Sequence, residues 1–270
     1  MNFDDFRYMW RGKTQQALSN QQAALLAPID HQNGKKERAL LLLHGFSSSP
    51  AVFRELLPTL FNLYDTVVCP ALPGHADSIE TFAKTQASEW LTAAEQSCEE
   101  LLRNYQMVDV MGLSLGGLLA CHLANRFPLH HLYLLAPALA LRFKITIALA
   151  VARLLHGLGF RRLRNRAGNL YTSRASELAY RQLPISTIIE ILSLIQNYQF
   201  VPPTCPVDLF LGRYDEVVQS TLVADYFANL PNVHIHWLNH SAHVLPLDGD
   251  IDTIIAHLKG NQAKITQATS

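Results

Sequence analysis

Short apolar segments of strand length alternate with longer segments of helical periodicity over most of this chain. The predicted strands lie at 39–43, 107–112, 131–137, 206–212 and 233–238, with another inside 65–75. The predicted helices span 50–62, 88–105, 115–127, 220–229 and 250–259. Continuous apolar strands joined by helices indicate a mostly parallel sheet that is covered on both faces. The chain is therefore predicted to form a doubly wound α/β fold.

The alternation of strands and helices is interrupted between 138 and 200. This stretch contains two apolar segments of helical spacing and no clear strand, so it is predicted to be an all-helical insertion. The core of the fold is then formed by 39–137 and 201–260. Residues 1–38 show no clear pairing pattern and are interpreted as an N-terminal extension, while the polar residues 261–270 are expected to form a loose tail.

The charge of the chain is balanced overall but uneven along its length. Lys plus Arg and Asp plus Glu both number 22 among 270 residues, which gives no indication of a nucleic acid or an acidic partner. Residues 141–200, in contrast, contain nine basic and two acidic side chains, a local net charge of +7. The insertion is therefore expected to present a basic surface.

Cysteine usage and hydropathy predict a cytoplasmic protein. The four cysteines are Cys69, Cys98, Cys121 and Cys205. They are scattered without a C-x-x-C spacing, so we expect reduced thiols. The first residues lack the apolar core of a secretory signal. The most apolar stretch, 145–160, is interrupted by Arg153 and His156 and is shorter than the ~20 residues that cross a bilayer.

A serine flanked by glycines occupies the turn between a predicted strand and a predicted helix. Gly112, Ser114 and Gly116 have the spacing G-x-S-x-G, and Gly117 follows. In such a turn a nucleophilic serine is held in a strained conformation, and glycines allow the strand and the helix to approach each other closely. The spacing also fits a serine that only caps the helix, but its position between strand and helix favours the nucleophile.

A serine hydroxyl is a weak nucleophile, so a base and an acid that orients the base are required after it in the chain. Asp215 follows the strand at 207–211 and is the predicted acid. Glu216, its neighbour, is a weaker candidate. Asp208 lies at the start of the same strand and therefore at the wrong edge of the sheet.

His243 follows the last predicted strand and is the predicted base, with His240 as a competitor. Five other histidines are interpreted as structural: His122, His130, His131, His234 and His236. The chemistry requires a neutral His243. Activity is therefore expected to decrease at pH values below the pKa of His243, which is about 6.5 for an unperturbed imidazole.

Two backbone N–H groups are predicted to stabilise the oxyanion of the reaction. The N–H of Leu115 lies at the start of the helix that follows Ser114, where the helix dipole also favours negative charge. The N–H of Phe46 lies in the turn "HGFSSS" after the first predicted strand. A His-Gly pair alone indicates only a tight turn. Because it occurs upstream of G-x-S-x-G here, it favours an oxyanion-binding turn.

Taken together, the motifs resemble those of the α/β-hydrolases, most closely the small carboxylesterases and monoacylglycerol lipases. The resemblance rests on "LLLHGF" (41–46), "GLSLGG" (112–117), "GRYDEVV" (212–218) and "SAHVLPLD" (241–248). It extends over 39–258. Two departures are the loop "LPGHADS", which lacks the second glycine of the usual G-H-G, and residues 1–38, which show none of the family's opening strands.

The resemblance implies a serine hydrolase that needs neither a cofactor nor a metal ion. Its catalytic triad would be Ser114, Asp215 and His243, its oxyanion hole the amides of Phe46 and Leu115, and a helical cap would cover the site. The implied substrate is a small carboxylic ester or a lipid. The same triad also occurs in enzymes that cleave thioesters, amides or carbon–carbon bonds, and the fold can serve as a silent ligand-binding protein.

The insertion is expected to determine the substrate. The apolar faces of "ITIALAVARLLHGLGF" and "ISTIIEILSLIQNY" can line an acyl pocket or can merely cover the sheet. The basic cluster "FRRLRNR" (160–166) can attract an anionic membrane or can be an ordinary solvated surface. Both alternatives remain open at the level of sequence.

Overall fold

A computed structural model describes residues 3–269 of the chain. Within this range the strands are β1 (Phe6–Trp10), β2 (Lys13–Ala17), β3 (Ile29–Gln32), β4 (Arg38–Leu43), β5 (Thr66–Cys69), β6 (Met107–Leu113), β7 (His131–Leu135), β8 (Arg162–Arg164), β9 (Glu177–Tyr180), β10 (Gln182–Pro184), β11 (Val207–Gly212) and β12 (Val233–Leu238). The α-helices are α1 (Leu57–Leu63), α2 (Ile79–Phe82), α3 (Ala87–Asn104), α4 (Leu115–Ala124), α5 (Ile145–Gly157), α6 (Ile185–Asn197), α7 (Ser220–Phe227) and α8 (Ile251–Thr269).

Seven strands form the central sheet in the order β12-β11-β7-β6-β4-β5-β3. All neighbours in this sheet are parallel except β3, which pairs antiparallel with β5 at the edge. Helices pack on both faces, so the prediction of a mostly parallel, doubly wound α/β fold is confirmed. The carboxyl ends of the parallel strands meet at one edge of the sheet, where such folds bind their ligands.

The sheet separates two hydrophobic clusters, and β4 shows why its sequence forms a central strand. Ala39, Leu41 and Leu43 belong to the cluster on one face, while Leu40 and Leu42 belong to the cluster on the other. Alternate residues of a strand point to opposite faces, so a strand covered on both sides needs a continuous apolar run. Each buried leucine contributes roughly 1.5–3 kcal/mol to the stability of the fold.

Residues 1–38 are not an unpaired extension in the part that the structure describes. β1 forms an antiparallel hairpin with β2, and β1 also pairs antiparallel with β9 of the insertion. β3 is the edge strand of the central sheet. The prediction missed these strands because β2 is exposed along its whole length and β3 only alternates between half-buried and exposed residues, so neither has an apolar run.

The insertion at 138–200, called the cap below, is not all-helical. It contains the two predicted helices, α5 and α6, but also β8, β9 and β10. β8 pairs antiparallel with β10, and all four residues of β9 are buried. Strands of three or four residues are too short to show a period-2 pattern, which explains why the sequence did not reveal them.

Helix boundaries differ from the predictions at several places, most of all in three helices. The helix expected at 50–62 is a 3₁₀ turn, Pro50–Phe53, followed by α1. α3 begins one residue earlier than predicted, with Gln86 rather than Ser88 as its N-cap. The loose tail expected at 261–270 is wrong over 261–269, where α8 continues, and Ser270 lies outside the described residues. No helix within residues 3–269 is long and apolar enough to cross a membrane.

Candidate active site

Ser114 lies in a strained turn between β6 and α4. Its backbone has φ +54° and ψ −113°, a conformation that non-glycine residues rarely adopt. A methyl group placed on Gly112 would collide with the backbone of Gly116, and one placed on Gly116 would collide with the carbonyl oxygen of Leu43. The glycines therefore allow α4 to start directly against the sheet, with Ser114 at its edge.

Asp215 and His243 meet at the same edge of the sheet, on the loops that follow β11 and β12. The Nδ1 of His243 lies 2.8 Å from Oδ2 of Asp215. The other oxygen, Oδ1, accepts the backbone N–H groups of Val217 and Val218, both at 2.8 Å. The two side chains are buried, with 2% of Asp215 and 8% of His243 exposed. The carboxylate is thus fixed by the backbone and orients the imidazole.

Ser114 and His243 line one cavity of about 530 Å³ beneath the cap. The backbone of Gly45 approaches Ser114 closely, since a methyl group on Gly45 would lie 3.4 Å from the Ser114 Cβ. Phe46 and Leu115 also line this cavity. Among the described residues, neither the Phe46 N–H nor the Leu115 N–H donates a hydrogen bond to another group of the chain.

The competing candidates lie elsewhere. His240 is exposed and hydrogen-bonds Asp250 through its backbone N–H and through its ring. Glu216 is exposed as well. Asp208 lies near the amino end of β11, at the edge of the sheet opposite the one that carries the cavity. Four of the histidines interpreted as structural contact carboxylates outside the cavity: His122, His130, His131 and His236.

Two buried histidines brace the turn that carries Phe46. His75 Nε2 accepts the N–H of Ser47 at 3.2 Å, and His44 Nε2 accepts the N–H of Leu72 at 3.0 Å. Burial lowers the pKa of His44 to about 4, and burial together with His44 lowers the pKa of His75 well below its ordinary value. Both rings are therefore neutral acceptors, and His75 of the loop "LPGHADS" has a structural role in this turn.

Two residues of the cap, Asn169 and Glu177, belong to the site although they were not predicted from the sequence. Asn169 accepts the backbone N–H of His243 with its carbonyl oxygen at 3.0 Å, and its side chain accepts the N–H of Glu216 at 3.1 Å. Glu177, on β9, is buried, lines the cavity and accepts the N–H of Gly168 at 2.7 Å. Glu177 is one of only two acidic residues in 141–200, and this scarcity was the available signal.

The charges around His243 raise its pKa above the ordinary value. Burial alone would lower the pKa, but the carboxylates of Asp215 and Glu177 stabilise the imidazolium and outweigh the effect of burial. The pKa of Glu177 is itself raised by burial, although the Gly168 N–H opposes this shift. The pKa of His243 therefore lies above that of an unperturbed imidazole.

Replacing Glu177 with glutamine is expected to shift the acid limb of the kcat/KM profile to lower pH. Glutamine keeps an oxygen for the Gly168 N–H but removes a negative charge that favours protonated His243, so the pKa of His243 falls. The measurement is the pH dependence of ester hydrolysis from pH 4 to 9. Glu190→Gln, the other acidic residue of the cap, is the matched control. An unchanged acid limb in Glu177→Gln would contradict the electrostatic role of Glu177.

Comparison with known proteins gives a consistent picture. A sequence profile described as the alpha/beta hydrolase family matches residues 40–255. The chain is 27% identical over 233 residues to a thermostable monoacylglycerol lipase of Bacillus sp. (strain H-257), covering 84% of this chain and 90% of that protein. It is 22% identical over 235 residues to a carboxylesterase of Bacillus subtilis (strain 168), covering 84% and 92%.

Among solved structures, one from a study of LipS and LipT, two metagenome-derived lipolytic enzymes, superimposes with a TM-score of 0.78 at 24% identity. The alignment covers 88% of this chain and 98% of that chain. At this level of identity the likeness shows that the two proteins share a fold.

Proposed function

The chain belongs to the alpha/beta hydrolase family, and from this premise we propose that it is a serine ester hydrolase with Ser114, His243 and Asp215 as its catalytic triad. One observation carries the proposal. Asp215 is fixed by two backbone N–H groups and holds His243 by a 2.8 Å hydrogen bond. His243 and the strained Ser114 line the same cavity. The buried, hydrogen-bonded carboxylate of Asp215 and the strained turn at Ser114 support these roles.

Acylation begins with attack of the Ser114 Oγ on the carbonyl carbon of the ester. Because Nδ1 of His243 is held by Asp215, Nε2 is the nitrogen that takes the hydroxyl proton. The electron pair of the carbonyl π bond moves to oxygen, and the N–H groups of Phe46 and Leu115 stabilise the resulting oxyanion. When the tetrahedral intermediate collapses, the alcohol leaves with the proton from Nε2.

Deacylation repeats these steps with water as the nucleophile. Water loses a proton to Nε2 of His243 and attacks the acyl carbon, and the second tetrahedral intermediate expels Ser114 Oγ, which recovers the proton. The imidazolium forms twice in each cycle. The negative charges of Asp215 and Glu177 stabilise it both times, consistent with the raised pKa of His243.

The cavity favours esters with medium or long acyl chains. It is lined mostly by apolar side chains, many of them from α5 and α6, including Ala152, Leu155 and Ile191. A volume of about 530 Å³ lies within the range of small-molecule pockets. The similarity to a monoacylglycerol lipase supports the same substrate class. We therefore assign the cap helices to the acyl pocket rather than to a simple cover of the sheet.

A series of p-nitrophenyl esters tests this assignment. We expect kcat/KM to rise by about fourfold for each methylene that the pocket buries, from acetate to decanoate. Ala152→Phe fills the cavity and should abolish this rise while sparing acetate. Ala150→Phe, the same substitution on the exposed side of α5, is the control. A wild-type enzyme confined to acetate, or a rise that survives Ala152→Phe, would contradict the acyl pocket.

An exposed apolar stripe on the cap suits contact with an anionic lipid surface. The stripe consists of Phe143, Ile147, Val151, Leu154 and Leu158. Ile147, Val151 and Leu154 lie on one face of α5, and Phe143 and Leu158 continue the stripe just beyond its two ends. The exposed fraction is 63% for Leu154 and 67% for Leu158. Exposed Arg161, Arg162 and Arg164 follow directly. Apolar and cationic groups side by side are typical of helices that lie in a membrane interface.

Sedimentation with lipid vesicles tests this contact. We expect binding to vesicles that contain anionic phosphatidylserine and little binding to pure phosphatidylcholine. Leu154→Glu combined with Leu158→Glu should release the protein, because carboxylates replace apolar contacts and repel the anionic surface. Leu222→Glu, at an exposed leucine of α7, should bind like the wild type. Equal and poor binding to both vesicle types would exclude the proposal.

A further inference from the structure

A second polar cluster lies on the opposite side of the molecule from Ser114. Asp208 is the second residue of β11 and is buried, whereas the triad lies beyond the carboxyl ends of the strands. His131, His236, His257 and Asn261 surround it. None of these residues lines the cavity, and the proposed ester hydrolysis makes no use of them.

One oxygen of Asp208 is held in place by the protein. Oδ2 accepts Nε2–H of His131 at 2.8 Å and the side-chain amide of Asn261 at 2.7 Å. Burial would raise the pKa of Asp208, but the hydrogen bonds from His131, His236 and Asn261 lower it below its ordinary value. The carboxylate is therefore an oriented anion, and its orientation leaves Oδ1 facing away from His131 and Asn261.

The other oxygen faces two imidazoles. Oδ1 lies 2.6 Å from Nε2 of His236. The ring of His257 packs on the ring of His236, with 3.9 Å between their centroids. His257 and Asn261 are four residues apart on α8 and share one face of that helix, so α8 presents both to Asp208. One ligand-type atom from each of Asp208, His236 and His257 lies within 4.8 Å of the others.

We propose that Asp208, His236 and His257 bind a divalent metal ion of the Zn²⁺ type. Two imidazole nitrogens and one carboxylate oxygen are a donor set that Zn²⁺ accepts, with water as the fourth ligand of a tetrahedron. At bond lengths of about 2.0–2.1 Å the ligand atoms of Zn²⁺ lie roughly 3.4 Å apart, so metal binding would lengthen the 2.6 Å contact between Asp208 and His236 and bring His257 to a similar distance from both. His131 and Asn261 act as the outer partners that orient the carboxylate.

Binding requires the lone pair on Nε2 of His236. The proton that Nε2 shares with Asp208 must therefore move to Nδ1 or leave to solvent as the metal takes its place. The pairing of His131 and His236 with Asp208 would by itself neutralise a buried carboxylate. His257 comes from a different element, α8, and completes a three-point site.

The site would tie α8 to the central sheet. Asp208 and His236 come from neighbouring strands, β11 and β12, and His257 comes from the helix that packs beside them. These residues converge only in the folded chain, so the metal binds the native state and stabilises it. The expected consequence is a gain in thermal stability, separate from ester hydrolysis at the other edge of the sheet.

Isothermal titration of the metal-stripped full-length chain with ZnCl₂ tests the proposal. We expect one saturable site for the wild type, and a weakening of at least about 100-fold in His257→Ala. Zn²⁺ at 100 times its dissociation constant for the wild type should raise the Tm of the wild type by about 5 °C or more and that of His257→Ala by about 1 °C or less. His234→Ala removes an exposed histidine of β12 outside the cluster and should match the wild type.

Three results would contradict the proposed metal site. The absence of a saturable site in the wild type excludes it, as does equal affinity in His257→Ala. Binding that is lost in His243→Ala instead would place the metal at the proposed triad. Circular dichroism verifies that His257→Ala is folded, and His257→Asn, which keeps a polar side chain of smaller reach, serves as a second variant with the same expected loss.

Discussion

Ser114→Ala is expected to lower kcat for ester hydrolysis by about a million-fold, the loss typical when a triad nucleophile is removed. Alanine lacks the hydroxyl that forms the acyl-enzyme, and no neighbouring group can replace it in the turn between β6 and α4. The same variant should lose covalent labelling by a fluorophosphonate probe, which reacts with activated serines. Alanine removes one oxygen atom from a half-buried position, so the fold should persist.

Ser193→Ala, on α6 of the cap, is the matched control and should be labelled and active like the wild type. Two results would contradict the proposed function in different ways. A wild-type protein that is not labelled would indicate a silent ligand-binding member of the family. Labelling that persists in Ser114→Ala would indicate another nucleophile.

Asp215→Asn is expected to lower kcat by about ten-thousand-fold. The amides of Val217 and Val218 donate to Oδ1, so they will hold the carboxamide oxygen of asparagine in that position. The NH₂ group then faces Nδ1 of His243. Because NH₂ can only donate, Nδ1 must become an acceptor and the imidazole proton moves to Nε2. A ring that carries its proton on Nε2 cannot accept the proton of Ser114.

The measurement is single-turnover and steady-state kinetics on one p-nitrophenyl ester, with thermal unfolding to verify the fold. Glu216→Gln changes the neighbouring, exposed carboxylate and should retain nearly full activity. Full activity in Asp215→Asn together with a large loss in Glu216→Gln would assign the acid to Glu216. Comparable losses in both variants would instead indicate disruption of the loop after β11.

The central sheet was predictable because its signals are local. Most residues of β4 and β11 are apolar, and strands of this kind that alternate with amphipathic helices are typical of a parallel α/β sheet. The turn at Ser114 was visible for the same reason, since its glycines are needed within three residues of the serine. Asp215 and His243 could be proposed only from their places after later strands, because no sequence pattern joins residues 28 apart.

The missed features depend on contacts between distant parts of the chain. β1 pairs with β9 across some 170 residues, and β2 has a fully exposed polar sequence that carries no strand signal. The rarity of acidic residues in 141–200 singles out Glu177, but its place beside His243 depends on the folded chain. In the same way, Asn169 holds the N–H groups of His243 and Glu216 only because the fold brings the cap against the loops after β11 and β12.

The ladder between β1 and β9 limits how a bulky ester can enter. Four residue pairs join the two strands, from Phe6 with Tyr180 to Met9 with Glu177, and Asp248 holds the neighbouring segment through the N–H groups of Tyr171 and Thr172. A cap that swings open as one body would have to break these bonds. Separation of α5 from α6 breaks none of them. The substrate is therefore expected to enter the cavity between α5 and α6. The strands of the cap are expected to stay in place while these helices separate.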